Sequence, residues 1–195
     1  MARPVSKLNQ IEATAMNLIA FRGLAQVTIK DIAREAGCAE GALYRHYRSK
    51  EEMAWLLFRR EVERFGMRLR PLLESPESFV GRIEGAIRLF CTFFDEDRTI
   101  FSFILLTQHD FPKERRIRKT YNPDDLVMEF LRKAIAEGTI RIPDPALATA
   151  MVMGLVLQPA TMMATGKLKG PMSKRIPAIS EACCEVLGVR ERRKR

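Results

Sequence analysis

The sequence predicts an all-α protein, and three observations carry that reading. Apolar residues recur at three- and four-residue spacing through most of the chain, the period of an amphipathic helix. Helix-start signals punctuate it: Thr28 with Asp31, Ser49 with Glu52, Asn122-Pro123 and Asp144-Pro145. Almost no stretch alternates apolar and polar residues as a half-buried strand does. Composition agrees with a folded globular chain. Of 195 residues, 47% are apolar and 29% charged, which excludes a disordered acidic or low-complexity protein. The four cysteines, Cys38, Cys91, Cys183 and Cys184, are too few and too scattered for a disulfide scaffold. The opening MARPVSKLNQ lacks the apolar run of a signal peptide, so a cytoplasmic location is expected.

The elements follow in order. Leu8, Ile11, Ala15, Leu18 and Ile19 line one face of a helix over residues 7–21, stopped by Gly23. Thr28 and Asp31 form a capping-box pair that starts a second helix. Its inner face is Ile29, Ile32, Ala33 and Ala36, and Gly37 ends it. A short helix is expected from Glu40 to Tyr47. The box Ser49-Lys50-Glu51-Glu52 then opens a long helix that should end at Pro71. Ser75-Pro76 reads as the cap and first residue of the next helix, with Phe79, Ile83, Ile87, Phe90 and Phe94 inward. Residues 98–109 form an almost wholly apolar helix. Phe111 to Tyr121, containing KERRIRK, reads as a charged loop. Helices from Asn122 to Gly138, from Asp144 onward, and from Lys174 to Leu187 complete the chain.

One segment passes the length test for a membrane span. Pro145 to Gly166 holds no charged residue. It also holds Pro159, Gly154, Gln158, three threonines and five alanines. These features favour a helix buried in an all-helical domain, one side against a second subunit, with a kink or break at Pro159.

The net charge of +9 is concentrated at the ends. Residues 1–60 carry ten Lys/Arg against six Asp/Glu, and residues 190–195, RERRKR, carry five against one. Basic ends suit a polyanion partner, although a basic tail is also a common solubilising segment. The first stretch has a motif to go with its charge. Two short helices meet across a turn centred on Gly37, and the spacing Ala33, Gly37, Leu43 fits a helix–turn–helix at about residues 28–47. Tyr44, Arg45 and His46 fall within one exposed turn, with Lys50 opening the next helix. These side chains suit phosphates and base edges. The competing reading is a solvated face of a small helical domain.

The run from Ala36 to Met53, AGCAEGALYRHYRSKEEM, with the preceding Thr28-Ile29-Lys30-Asp31-Ile32-Ala33, resembles the signature of TetR-family transcription regulators. The resemblance covers about residues 8–58. It implies a three-helix helix–turn–helix DNA-binding head, residues 5–65, and a C-terminal helical ligand-binding and dimerisation domain, residues 66–195. It implies a homodimeric repressor released from double-stranded operator DNA by a small effector. Carried over by position, Thr28 caps the second helix and touches a phosphate. Glu40, Ala42 and Arg45 stand where bases are read, and Gly41 lets the helix approach the groove. Tyr44, His46 and Lys50 stand at phosphate positions, and Tyr47 packs the head. Two residues depart from the pattern. Ala39 cannot cap, and Glu40 is acidic: it can accept from cytosine N4 but repels phosphate.

Other chemistry is poorly supported. His46 and His109 have no ligand spacing around them, so no metal site is expected. No phosphate loop, nucleophile elbow or cofactor fingerprint appears, and no enzyme activity or cofactor is expected. Cys183-Cys184 reads as two small apolar residues before it reads as a redox pair. Phe90, Phe94, Phe101, Phe103, Met128, Met151, Met153, Met162 and Met163 make the middle of the chain soft and apolar. A lipophilic effector pocket would draw on Phe90, Phe94, Phe101, Met128 and Met153. The KERRIRK loop could meet phosphates of a larger ligand such as an acyl-CoA, though a solvated loop is the simpler account. Two rival classes remain: a membrane-associated helical protein, and a helical carrier or enzyme that has lost DNA binding.

Overall fold

The computed structural model describes residues 7–111 and 117–190. The basic tail beyond Arg190 and the first part of the KERRIRK segment lie outside the described residues. Among those described there are nine α-helices and no strand: α1 Lys7–Arg22, α2 Ile29–Glu35, α3 Glu40–Tyr44, α4 Lys50–Leu73, α5 Phe79–Glu96, α6 Arg98–Thr107, α7 Pro123–Ala136, α8 Pro145–Ala164 and α9 Ile176–Leu187. Short 3-10 turns lie at Lys119–Tyr121 and Met172–Arg175.

The chain divides into two compact units. Residues up to Glu61 join with the segment that begins at Asp97, and Val62 to Glu96 join with the segment that begins at Ile117. Helix α4 crosses the boundary between Glu61 and Val62.

In the first unit α1 packs along α6 and against α2, and α2 against α3. Ala15, Ile19, Val27, Ile32, Leu43, Met53 and Leu57 are essentially inaccessible to water. At about 1.5–3 kcal/mol for each large apolar side chain buried, this core supplies most of the stabilisation. Trp55 and Phe58 of α4 close over Phe111, with ring centroids 5.3 and 4.8 Å apart. Asp97 starts α6 by accepting the Ile100 N–H. Residues 98–109, read from sequence as part of the second domain, therefore pack with the head.

In the second unit α5 and α8 both pack on α9, and α7 on α8. Phe65 stacks on Phe93 and meets Phe90 edge-on, and Phe79 stacks on Phe130 at 5.0 Å. Asp95, at the end of α5, accepts the Met172 and Ser173 N–H groups at 2.7 and 2.9 Å, which fixes the turn before α9. The segment after α9 is tied back by Arg190 N–H to the Thr139 carbonyl and Arg141 N–H to the Leu187 carbonyl, both 2.9 Å.

Several boundaries differ from the sequence reading. Helix α4 runs past Pro71 to Leu73; in a last turn the proline removes one backbone bond and leaves the rest. Helix α5 starts at Phe79, because Ser78 and not Ser75 caps it, its Oγ accepting the Gly81 N–H at 3.1 Å. Helix α8 continues through Pro159 to Ala164. It is anchored on both sides of the proline by buried Val156, Ala160 and Met163. Helix α3 stops at Tyr44, and α9 begins at Ile176 after the 3-10 turn.

Among the described glycines, Gly66 is the one most tightly faced by backbone. A Cβ placed there would lie 1.9 Å from the Tyr121 carbonyl oxygen, a backbone atom. Gly66→Ala is expected to cost about 1–3 kcal/mol by overpacking, lowering the thermal midpoint by roughly 2–4 °C per kcal/mol. An unchanged melting curve would show that the turn does not need this contact.

Candidate nucleic-acid interface

The site is built on α2, a turn and α3. Thr28 has extended backbone angles and caps α2. Its Oγ1 accepts the Asp31 N–H at 3.1 Å, and Asp31 Oδ2 accepts the Thr28 N–H at 3.1 Å. The Thr28 hydroxyl also donates to that carboxylate at 2.6 Å. These bonds, the hydroxyl's first, hold the Asp31 carboxyl below its usual range. Arg34 pairs with the other carboxylate oxygen at 2.9 Å. The reciprocal cap satisfies two orphan donors of a seven-residue helix that could not persist alone.

Gly37 turns the chain with φ +62, a conformation other residues seldom adopt, and the Cys38 N–H closes onto the Ala33 carbonyl at 2.9 Å. Ala33 is buried, so α3 can lie close to α2. Helix α3 is short and weakly determined. Ala39 at its N-cap makes no side-chain bond, and Leu43 is its one buried residue.

The predicted DNA-facing residues take these places. Thr28, Glu40, Gly41, Tyr44, Arg45 and His46 are exposed, and Ala42 is half-buried. Tyr44 is 56% exposed, unusual for so large an apolar ring. A Cβ on Gly41 would meet nothing within 4 Å, and its backbone is ordinary helix. Nothing inside the protein requires glycine there, whereas a surface pressed close from outside would. Lys50 is more engaged than its sequence position suggests. Its side chain is only 16% exposed, and its Nζ donates to the Leu24 carbonyl at 2.6 Å. It ties the start of α4 to the loop after α1.

Sequence reasoning passed over Lys30 and Arg48, two exposed cations flanking the motif. It also missed a polar cluster inside the head. Glu12 is 5% exposed on the inner face of α1. Its Oε1 accepts the Tyr47 hydroxyl at 2.5 Å, and its Oε2 accepts Arg60 Nη1 at 2.7 Å. Arg60 Nε donates to buried Glu61 at 2.9 Å. The one available signal was an acid sitting between Ile11 and Ala15 on the apolar stripe. Burial would lower the Arg60 pKa, but its bonds to Glu12 and Glu61 outweigh that and raise it.

The expected effector residues divide between the units. Phe90 and Phe94 on α5 are buried, and Met128 on α7 and Met153 on α8 are half-buried, all in the second unit. Phe101 is buried in the first. A cleft of about 460 Å³ opens on the first unit beside Ala13, Asn17, Glu35, Asp97 and Thr99, and no predicted site residue lines it. Among the described residues no cluster of His, Cys, Asp and Glu could hold a metal ion.

The fold and this face define a helix–turn–helix DNA-binding protein. Residues 11–54 match the bacterial regulatory proteins of the tetR family. Over 151 residues the chain is 27% identical to the HTH-type transcriptional repressor KstR2 of Mycolicibacterium smegmatis, covering 73% of this chain and 71% of that protein. The fold matches that of the fatty acid degradation regulator FadR from Bacillus halodurans with a TM-score of 0.77 at 21% identity, over 97% of this chain and 100% of that one. It also matches the regulator FadR from Bacillus subtilis, solved in complex with stearoyl-CoA, with a TM-score of 0.73 at 21% identity, over 89% and 96%. Residues 11–54 thus carry the DNA-binding domain of the tetR-family regulatory proteins, and the similarity to a transcriptional repressor extends over 73% of the chain.

The cluster in the head makes a pH prediction. Burial first, and then the Glu12 bond, push the Tyr47 phenol well above its ordinary 10.0. A raised folded-state value gives stability that is fully present below pH 10.0 and is lost as pH rises above it, because the unfolded chain releases the proton and the folded one keeps it. Denaturant unfolding from pH 9 upward should show stability falling above about pH 10, and Tyr47→Phe should flatten that fall. Parallel curves for the two proteins would contradict it.

Proposed function

We propose that the protein is a cytoplasmic, homodimeric repressor that leaves its operator when a lipophilic effector of the acyl-coenzyme A class enters the second unit. The observation that carries the DNA half is the exposed face of Thr28, Glu40, Gly41, Tyr44, Arg45 and His46, with open space where a side chain at Gly41 would be. The Arg45 guanidinium suits a guanine edge, and Glu40 suits a cytosine amino group. Tyr44, His46, Thr28 and the remaining donors of Lys50 suit phosphates.

The dimer is supported by α8 and α9. Leu147, Met151 and Met162 on α8 and Val186 on α9 are 37–47% exposed. Leu147, Met151, Gly154, Gln158 and Met162 recur at three- and four-residue spacing, a stripe along one side of α8. Helix α8 is long and apolar enough to cross a membrane, with 33% of its apolar window buried. A second copy is the better cover for a stripe broken by Gly154 and Gln158, and a two-fold operator needs two heads.

The effector class rests on one protein of like fold, the FadR solved with stearoyl-CoA. Phe90, Phe94, Met128 and Met153, buried or half-buried in the second unit, are side chains of the kind that an acyl-chain pocket would draw on. Helix α4 begins in the head and ends in the second unit, so it can act as the lever. Half-sites lie about 34 Å apart, one DNA turn, and a few ångströms of separation would spoil both contacts together.

Three experiments test this. Arg45→Ala should cost about 1–3 kcal/mol on DNA selected from a random pool and relax preference at one position per half-site. An equal loss on random DNA would remove Arg45 from base reading. Sedimentation in detergent-free buffer should give twice the 22.3 kDa chain mass. Long-chain acyl-CoA should weaken operator binding, and operator should weaken acyl-CoA binding by the same factor; 100-fold would correspond to about 2.7 kcal/mol. Equal acyl-CoA affinity with and without operator would leave a DNA-binding dimer with no switch.

A further inference from the structure

We propose that Glu12 is a positioning residue for sequence-specific DNA reading: its buried carboxylate sets where α3 and the turn after it lie. The need for such a device follows from α3 itself. Five residues, no side-chain cap and one buried anchor leave the helix free to rock about Leu43. A second anchor comes four residues on. Tyr47 is 9% exposed, and its N–H bonds the Leu43 carbonyl, so the two side chains share one side. Arg45 and His46 sit between these anchors on the exposed side, and moving Tyr47 moves them.

An apolar ring at position 47 would be held by packing alone, which lets it slide. The Tyr47 hydroxyl bond to Glu12 Oε1 adds a fixed direction. Glu12 is in turn fixed from the far side by Arg60 on α4, so its carboxylate cannot follow the ring. Three elements distant in sequence meet on one carboxylate. Base contacts need donors placed within about 0.5 Å. Two of the proposed phosphate contacts, Thr28 at the cap of α2 and Lys50 at the start of α4, lie off the turn that Tyr47 places. A loosened Tyr47 should therefore degrade reading of sequence more than binding to DNA in general.

Tyr47→Phe is the test variant, because it removes one oxygen and keeps the packing. Affinity is measured on a duplex that the parent protein selects from a random pool, and on random-sequence duplex. Affinity for the selected duplex should fall about tenfold, as expected from impairing one base contact, with random-sequence affinity falling by much less. Gly66→Ala is the control for mere loss of stability, since it should lower the melting midpoint and move neither affinity. Glu12→Gln retains an acceptor for the hydroxyl and should keep more selected-duplex affinity than Glu12→Met, which has none. The proposal is overturned if Tyr47→Phe leaves the ratio of the two affinities unchanged, whether both hold or both fall. Equal effects of folded Glu12→Gln and Glu12→Met also overturn it.

Discussion

A carboxylate placed inside a small helical unit obliges its surroundings to answer it, and in this protein Glu12 sets that obligation. Desolvating an isolated carboxylate costs several kcal/mol, and the cost is recovered only where donors converge with good geometry. Tyr47 and Arg60 supply them from either side. The consequence is a relation among α1, the end of the helix–turn–helix and α4 that apolar packing would leave adjustable. The core residues Ile19, Ile32, Leu43 and Met53 supply the energy. The polar contact supplies a direction, and polar groups at such a place trade some stability for uniqueness of arrangement.

The exposed face of the helix–turn–helix has few fixed points of its own along α3. Helix α2 is fixed at its start by the Thr28–Asp31 reciprocal cap and at its end by the Gly37 turn. Helix α3 has no cap and presents Glu40, a residue that phosphate repels, at its first position. Lys50, tied to the Leu24 carbonyl, steadies the start of α4 directly after the motif. The exposed turn is thus steadied by bonds that reach it from α1 and from the start of α4. In the second unit the constraint is of another kind: α8 and α9 bury one face and leave apolar side chains on the other, and the unit's own helices do not cover them.

What the sequence made legible was local. The reciprocal cap at Thr28 and Asp31, the Gly37 turn and the Asn122 and Asp144 starts are written within four residues of each other, and they appear as read. The exposed motif residues also follow from local spacing, since an apolar Leu43 turned inward leaves Tyr44, Arg45 and His46 outward. What was missed is long-range. The Glu12–Tyr47 bond joins residues 35 apart, Glu12–Arg60 joins residues 48 apart, and Lys50 reaches back 26 residues. Each involves a residue with a sufficient local explanation: an aromatic that packs, a cation that faces solvent or phosphate. The shift of the cap from Ser75 to Ser78 was a choice between two serines three residues apart, which local preference does not decide.

The route of the chain has a consequence for how this regulator can be taken apart. The first unit is discontinuous, for α6 completes it only after the chain has run through α4 and α5. A cut at the end of the helix–turn–helix, or anywhere before Asp97, yields a fragment in which the α1 flank that α6 covers is bare. Grafting this head onto another regulator therefore calls for two inserted segments with a foreign stretch spliced between them. The interval from α2 to Tyr47, by contrast, is contiguous and can be exchanged as a single segment.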